Sequence, residues 1–219
     1  ERREDQLRLK ARSDGVSAFV AGRSISADIS SEYPEVAAAD EAIGRRARYA
    51  DLTVVGPAML SSDLLRDKVI EGALFSSGKP LLLVPDGAKA TLKPKRIVVA
   101  WDSRLEASRA AREALDLLVA ADDVRLVLVD PVAGESHQGV EPGADAATYL
   151  ARHGVKVTVD KLPSEGRSVA ETLSRHAVDS SADLLVMGGY GHSRLRERLF
   201  GGVTKSMLEK QPVPILMAR

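Results

Sequence analysis

The sequence predicts an α/β fold: a doubly wound, mostly parallel sheet of five strands with helices on both faces, present in two tandem copies. Short aliphatic segments alternate along the chain with segments whose apolar residues recur at helical spacing. The aliphatic segments are apolar nearly throughout, which is typical of parallel strands that are covered on both faces. In addition, similar segments occur twice in the same order, which indicates a duplication.

The second half of the chain contains every element of one such sheet. The predicted strands are Arg96–Trp101, Val124–Val129, Val155–Val159, Leu184–Met187 and Ile215–Ala218. The predicted helices are Glu106–Ala120, Asp145–His153, Val169–Val178 and Val203–Lys210. We therefore predict a complete domain over residues 94–219.

The first half repeats part of this pattern at an offset of roughly 130 to 140 residues, a domain-sized period. Three pairs of segments match: Arg12–Ser24 with Ala151–Leu162, Ala47–Pro57 with Asp179–Gly189, and Ser76–Pro85 with Glu209–Arg219. The first pair is interpreted as a helix end, a glycine and an alternating strand. These matches predict a partial domain over residues 1–88, which lacks the first strand, the first helix and the second strand, and the linker Pro85–Lys95 follows it. Because a sheet without its central strands buries little apolar surface, we expect roughly sixty further residues upstream. The charged segment Glu1–Arg12 is interpreted as a solvated helix.

Composition excludes several classes of function. Lys plus Arg and Asp plus Glu number 31 each, so the chain lacks the basic surplus of most nucleic-acid-binding proteins. The absence of cysteine excludes disulfides and thiolate sites and favours a cytoplasmic protein. The apolar runs are too short to cross a membrane, and no secretion signal opens the chain.

Two glycine clusters flank a basic segment near the end of the chain. Gly188–Gly191 follows a predicted strand, and Gly201–Gly202 precedes a predicted helix. Glycines allow the backbone to approach a ligand closely, and the free amides at the start of a helix favour an anion. Side-chain donors are also available there: His192, Ser193 and Thr204. The pattern predicts a phosphate-binding cradle, with two ordinary turns as the alternative.

The spacing of these glycines favours the phosphate-binding cradle over two ordinary turns. Gly188, two residues, Gly191, nine residues and Gly201 closely resemble the G-x2-G-x9-G-[ST] signature of the universal stress protein family. The segment from Ala182 to Arg219 is similar to the last third of that family's domain. The resemblance implies a flavodoxin-like or Rossmann-like sheet, of the adenine nucleotide alpha hydrolase type, and a role in the stress response.

The resemblance also implies a nucleotide site. In members that bind nucleotides, an aspartate at the end of the first strand contacts the adenosine, and Asp102 matches it. An aliphatic residue at the end of the second strand lines the adenine pocket, and Val129 matches it. The other implied contacts come from Met187, Gly188, Gly191, His192, Gly201, Gly202, Val203 and Thr204. The expected ligand is ATP or another adenine nucleotide, with Mg²⁺ only if it accompanies the nucleotide.

The chain departs from the signature in each copy. Gly202 stands where the family has Ser or Thr, which removes one hydroxyl donor to phosphate. Such a charge-assisted hydrogen bond contributes about 1.5–3 kcal/mol. Its loss is therefore expected to weaken ATP binding roughly ten- to a hundredfold, unless His192 or Thr204 compensates. In the first copy, Met59 replaces the second glycine after Gly56, so no nucleotide site is expected there.

We therefore expect a nucleotide-dependent switch or scaffold without catalytic or metal-binding residues, and slow ATP hydrolysis stays open. Because family domains pair through their last strand, here Ile215–Ala218, the resemblance also implies pairing of the two copies, a homodimer, or both. A nucleotide-free interaction module is the main alternative. An adenylating enzyme is a third, although Asp102–Ser103–Arg104 lacks the S-G-G-x-[DS] loop of such enzymes. The polar segment Ser136–Asp145 is interpreted as a plain connecting loop, with a cover for the ligand as the alternative.

Overall fold

The computed structural model describes residues 2–134, 138–189 and 202–219. The chain divides into two compact units, residues 1–38 and 39–219. The first unit contains helix α1 (Arg2–Ala21) and a 3₁₀ turn at Val36–Ala38. Within it the hydroxyl of Tyr33 donates a hydrogen bond of 2.8 Å to the carboxylate of Asp5.

Helix α1 confirms one prediction for the first unit and shows that another is wrong. The charged start of the chain is helical and exposed, as expected. The strand predicted within Arg12–Ser24, however, is the second half of the same helix. A helix satisfies its own backbone hydrogen bonds, whereas a strand needs a neighbour to pair with. Gly15 costs the helix only about 1 kcal/mol relative to alanine, so it does not end it.

The second unit contains seven strands and eight further helices among the described residues. The strands are β1 (Thr53–Val55), β2 (Leu81–Leu83), β3 (Arg96–Ala100), β4 (Asp123–Val129), β5 (Val157–Leu162), β6 (Leu184–Gly188) and β7 (Ile215–Ala218). The helices are α2 (Ala39–Ala47), α3 (Pro57–Leu60), α4 (Arg66–Glu71), α5 (Leu105–Glu113), α6 (Leu115–Ala120), α7 (Ala144–Arg152), α8 (Val169–Asp179) and α9 (Gly202–Glu209), and a π-helical turn spans Gly72–Ser76. No helix in the described ranges is both long and apolar enough to span a membrane.

All seven strands form one sheet in the order β1-β2-β7-β6-β3-β4-β5. Six pairs of neighbours supply this order, and only β2 and β7 are antiparallel. The predicted mostly parallel α/β fold is therefore confirmed, with five strands from the second half of the chain and two from the first. The predicted boundary between domains 1–88 and 94–219 stays a prediction.

The sheet separates two apolar layers. One face packs against α4, α8 and α9, with Leu173, Leu185 and Met207 in its centre. The opposite face packs against α5, α6 and α7, with Leu118 and Leu150 in its centre. Burial on both faces explains why the strands contain so few polar residues.

Two elements of the second half differ from the predictions by more than one residue at a boundary or by a break. Strand β5 begins at Val157 and runs to Leu162, because β4 is long and its last residue, Val129, pairs with Leu162. The helix predicted over Glu106–Ala120 is divided into α5 and α6 at Ala114, whose backbone (φ −88°, ψ 1°) leaves the helical range.

Candidate functional site

A pocket of about 330 Å³ opens beyond the carboxyl ends of β3, β4 and β6. This is the edge at which open parallel sheets bind ligands, and the volume lies in the range of small-molecule sites. The residues around it come from three strand ends, from the starts of α5, α8 and α9, and from the loop before α7: Ala100, Trp101, Asp102, Arg104, Glu106, Ala107, Val127, Val129, Gln138, Val169, Leu173, Met187, Gly188, Gly202, Val203 and Thr204.

Seven of the ten residues predicted for the site line this one pocket, although they are far apart in the sequence. They are Asp102, Val129, Met187, Gly188, Gly202, Val203 and Thr204. The other three predicted residues, Gly191, His192 and Gly201, lie outside the described residues. The roles assigned to all ten residues stay predictions.

Asp102 follows β3 and turns the chain into α5. Its carboxylate Oδ1 accepts a hydrogen bond of 3.1 Å from the amide of Arg104, and Oδ2 lies 3.7 Å from Nε of the same residue. Ser103 between them has a φ of 62°, which a non-glycine residue rarely adopts. The turn holds the Asp102 carboxylate at the rim of the pocket, with about half of the side chain exposed.

Gly188 has a role that the sequence did not reveal. A Cβ at this position would lie 2.6 Å from the amide nitrogen of Ala107 and 2.6 Å from the carbonyl carbon of Glu106. The missing side chain therefore lets the start of α5 pack directly on the end of β6. At Gly202, by contrast, a Cβ would meet no atom within 4 Å.

Helix α9 places its amino-terminal end at the pocket. Gly202, Val203 and Thr204 are its first three residues, and the first amides of a helix have no partner within the helix. These amides and the helix dipole favour an anion. Thr204 is only 6% exposed, and its predicted hydroxyl contribution stays a prediction.

Two carboxylates fix the backbone around the start of α8. Oδ1 of Asp130, just after β4, accepts a hydrogen bond of 2.9 Å from the amide of Ser164, and the Ser164 hydroxyl and amide lower the pKa of Asp130. Ser168 caps α8: its hydroxyl oxygen accepts from the amide of Glu171, and its own amide donates to the Glu171 carboxylate. The amide of Ser168, followed by its hydroxyl, lowers the pKa of Glu171.

These lowered pKa values predict acid sensitivity. A carboxylate with a lowered pKa stabilises the fold above its ordinary pKa, near 4, and this contribution is lost as the pH falls below that value. We expect the free energy of unfolding of Glu171→Gln to depend less steeply on pH than that of the parent chain between about pH 5 and pH 3. Urea titrations at several pH values measure this, with Glu113→Gln, an exposed carboxylate on α5, as the control. Equal pH slopes for the parent chain and Glu171→Gln would contradict the assignment.

Several residues of the pocket were not predicted from the sequence. Trp101 is the only tryptophan of the chain, and Val169 and Leu173 add apolar surface from α8. Arg104 and Glu106 add charged groups. Together with Asp102, the described wall therefore contains two carboxylates and one guanidinium. Arg104 and Glu106 lie two and four residues beyond the predicted site residue Asp102, and this proximity is the signal that could have found them.

The chain between β4 and α7 contributes the remaining wall residue, Gln138. Gly134 and Gly139 exchange two backbone hydrogen bonds, with N···O distances of 2.9 and 3.1 Å. Gly143 (φ 87°) ends the segment, and a Cβ there would lie 2.9 Å from Leu128. The described part of this loop therefore contributes to the pocket and is more than a plain connection. Residues 135–137, with His137, lie outside the described residues.

Metal ligation has no evident basis in the described ranges, where no group of three or more His, Asp or Glu side chains lies close enough to hold an ion. His176 contacts Asp160 at 3.1 Å (Nε2···Oδ2), away from the pocket wall. All residues that line the pocket come from the second half of the chain.

Comparisons with known proteins agree with this architecture. The sequence profile of the Universal stress protein family matches residues 93–219. Universal stress protein Slr1230 of Synechocystis sp. is 28% identical over 156 residues, which cover 68% of this chain and 50% of that protein. The chain thus spans about half the length of this relative.

A solved structure extends the similarity to nearly the whole chain. A universal stress protein from Archaeoglobus fulgidus superposes with a TM-score of 0.71 at 19% identity, covering 98% of this chain and 78% of its own. At that identity the superposition supports the fold alone. The profile match spans more than half of the residues, including both glycine clusters and Asp102. The chain therefore belongs to the universal stress protein family.

Proposed function

We propose that the pocket binds ATP or a related adenine nucleotide, and that the protein acts in the cytoplasm as a nucleotide-dependent switch or scaffold in the stress response. One observation carries this proposal: seven residues predicted from the family resemblance line a single cavity. The division of that cavity into an apolar part and an anion-binding part also supports it.

The apolar part suits a purine base. Val127 and Val129 from β4, with Val169 and Leu173 from α8, supply apolar surface to the lining. A flat aromatic ring buries much of its surface against such side chains, which supplies affinity, while a few polar groups fix its orientation. Asp102, at the end of the neighbouring strand β3, is placed to accept hydrogen bonds from ribose hydroxyl groups.

The anionic part of the ligand would lie against α9. The amides at the start of α9, at Gly202 and Val203, would be donors for phosphate oxygens. The carboxylates of Asp102 and Glu106 outnumber Arg104 on the described wall, so a triphosphate gains from further positive charge. Mg²⁺ bound to the nucleotide would supply it. Three arginines of the sequence, Arg194, Arg196 and Arg198, lie in the range outside the described residues.

Titration with ATP tests the proposal directly. Because Trp101 is the only tryptophan and lines the pocket, we expect saturable heat in calorimetry together with a change in tryptophan fluorescence at the same concentrations. We expect Asp102→Asn to weaken ATP binding about fivefold, because a neutral acceptor forms a weaker hydrogen bond than a carboxylate. Asp116→Asn, an exposed substitution on α6, is the control. No saturable heat, and no nucleotide released when the purified protein is denatured, would overturn the proposal.

A second candidate is a nucleotide-free interaction module. One observation favours it: Gly202 lacks the hydroxyl of the family signature. Strand β7 already forms an antiparallel pair with β2 within the chain. Pairing of two copies into a homodimer would then use another surface than this edge of β7. The substitution Gly202→Ser separates the two candidates.

A further inference from the structure

Gln138 is an unusual member of the pocket wall. Its carboxamide Oε1 is buried and accepts no hydrogen bond from any residue in the described ranges. A buried carbonyl oxygen without a partner is destabilising, so such groups in native proteins usually have a partner in water, an ion or a ligand. The side chain lines the pocket, and rotation about its last torsion, which is broad in glutamine, can turn the carboxamide towards a ligand there.

The backbone that follows Gln138 is held in place. The two hydrogen bonds between Gly134 and Gly139 fix the residue that follows it. Further along, the Glu141 carboxylate forms an ion pair with Lys161 on β5, and Gly143 packs against Leu128. The backbone that follows Gln138 is therefore held by contacts within the fold.

The place of Gln138 in the pocket indicates what it would contact. Its loop leaves the end of β4, whereas Gly188 lies at the end of β6, and β3 lies between these two strands. Two strand spacings separate the two sides of the pocket by about 10 Å. A nucleotide lying across the strand ends, with its phosphates towards α9, would bring its base to the Val129 side, where Gln138 is.

We propose that the carboxamide of Gln138 recognises the polar edge of the base and selects a purine with an exocyclic amino group. The oxygen would accept a hydrogen bond from the amino group, and the adjacent NH₂ would donate to a ring nitrogen, as glutamine does when it reads adenine. This inference rests on the proposed nucleotide site and adds to it the residue that determines base specificity.

A cycle of two ligands and two proteins tests the inference. The ligands are ATP and the triphosphate of purine riboside, which has hydrogen in place of the 6-amino group. The proteins are the parent chain and Gln138→Leu, which keeps the size of the side chain and removes its polar atoms. We expect Gln138→Leu to weaken the binding of ATP about fivefold or more. The affinity for the purine riboside triphosphate should stay nearly unchanged. Val140→Ala, an exposed change in the same loop, should affect neither ligand.

The other outcomes are distinguishable. Equal weakening of both ligands, or no change in either, would overturn the role of Gln138 while leaving the nucleotide site in place. Failure of the parent chain to bind either triphosphate would overturn the site and this inference together. If Gln138→Leu lowers the melting temperature, Gln138→Ala removes the same carboxamide without adding apolar bulk, and the same comparison of the two ligands decides.

Discussion

Gly188→Ala is expected to lower the free energy of unfolding by about 1–3 kcal/mol, which is typical of overpacking. It should also lower the affinity of the pocket for a nucleotide. The added methyl group would lie 2.6 Å from backbone atoms of Glu106 and Ala107, which no change of side-chain rotamer can relieve. Either the end of β6 or the start of α5 must move. Because the chain from Arg104 to Ala107 forms one wall of the pocket, nucleotide affinity should fall together with stability.

The chain offers a matched control for this change. Gly56 ends β1 as Gly188 ends β6, and the surrounding segments align in the internal repeat. A Cβ at Gly56 would meet nothing within 4 Å, and its φ of −87° suits any residue. Gly56→Ala should therefore leave the urea midpoint within experimental error. If the two substitutions have equal effects, the close contact between β6 and α5 does not explain Gly188.

Gly202→Ser is expected to tighten ATP binding ten- to a hundredfold, because the hydroxyl restores a charge-assisted hydrogen bond to phosphate of about 1.5–3 kcal/mol. The site can accept the side chain, since space is open around the position of the Cβ. Calorimetry measures the affinity, and the fluorescence of Trp101 gives an independent reading.

Gly202→Ala isolates the contribution of the hydroxyl. It makes the same change to the backbone at the first residue of α9 and adds no donor. Equal ATP affinities for the serine and alanine variants would show that this residue does not contact phosphate. Absence of ATP binding in the parent chain and in both variants would instead favour the nucleotide-free interaction module.

The sequence was most informative where local pattern and tertiary contacts agree. The strand ending at Gly188 is apolar throughout because it is buried on both faces, and its prediction was confirmed with a difference of one residue. The family resemblance led to seven of the sixteen described residues that line the pocket, because strand ends in a parallel sheet meet at one edge. The segment Arg12–Ser24 misled the prediction, since its alternation of small and apolar residues resembles a strand although the structure provides it with no strand partner.

Other features depend on distances that a sequence does not contain. Gln138 looks like one polar residue in a glycine-rich loop, and only its burial without a partner distinguishes it. Gly188 fits the ligand-binding signature, yet its closest neighbours are backbone atoms of α5. The break at Ala114 occurs within a run of good helix formers, so the local composition does not predict it.

The antiparallel pair of β2 and β7 reverses the polarity of the sheet at that junction. Strands β1 and β2 consequently end at the edge where β3, β4, β6 and β7 begin. The turn after β1 and the pocket thus open in opposite directions, and one small molecule cannot contact both. The sheet and the apolar layer that contains Val55, Leu173 and Met207 both join the pocket side to the β1–β2 end, and Leu82 and Leu216 lie at the midpoint of the antiparallel pair.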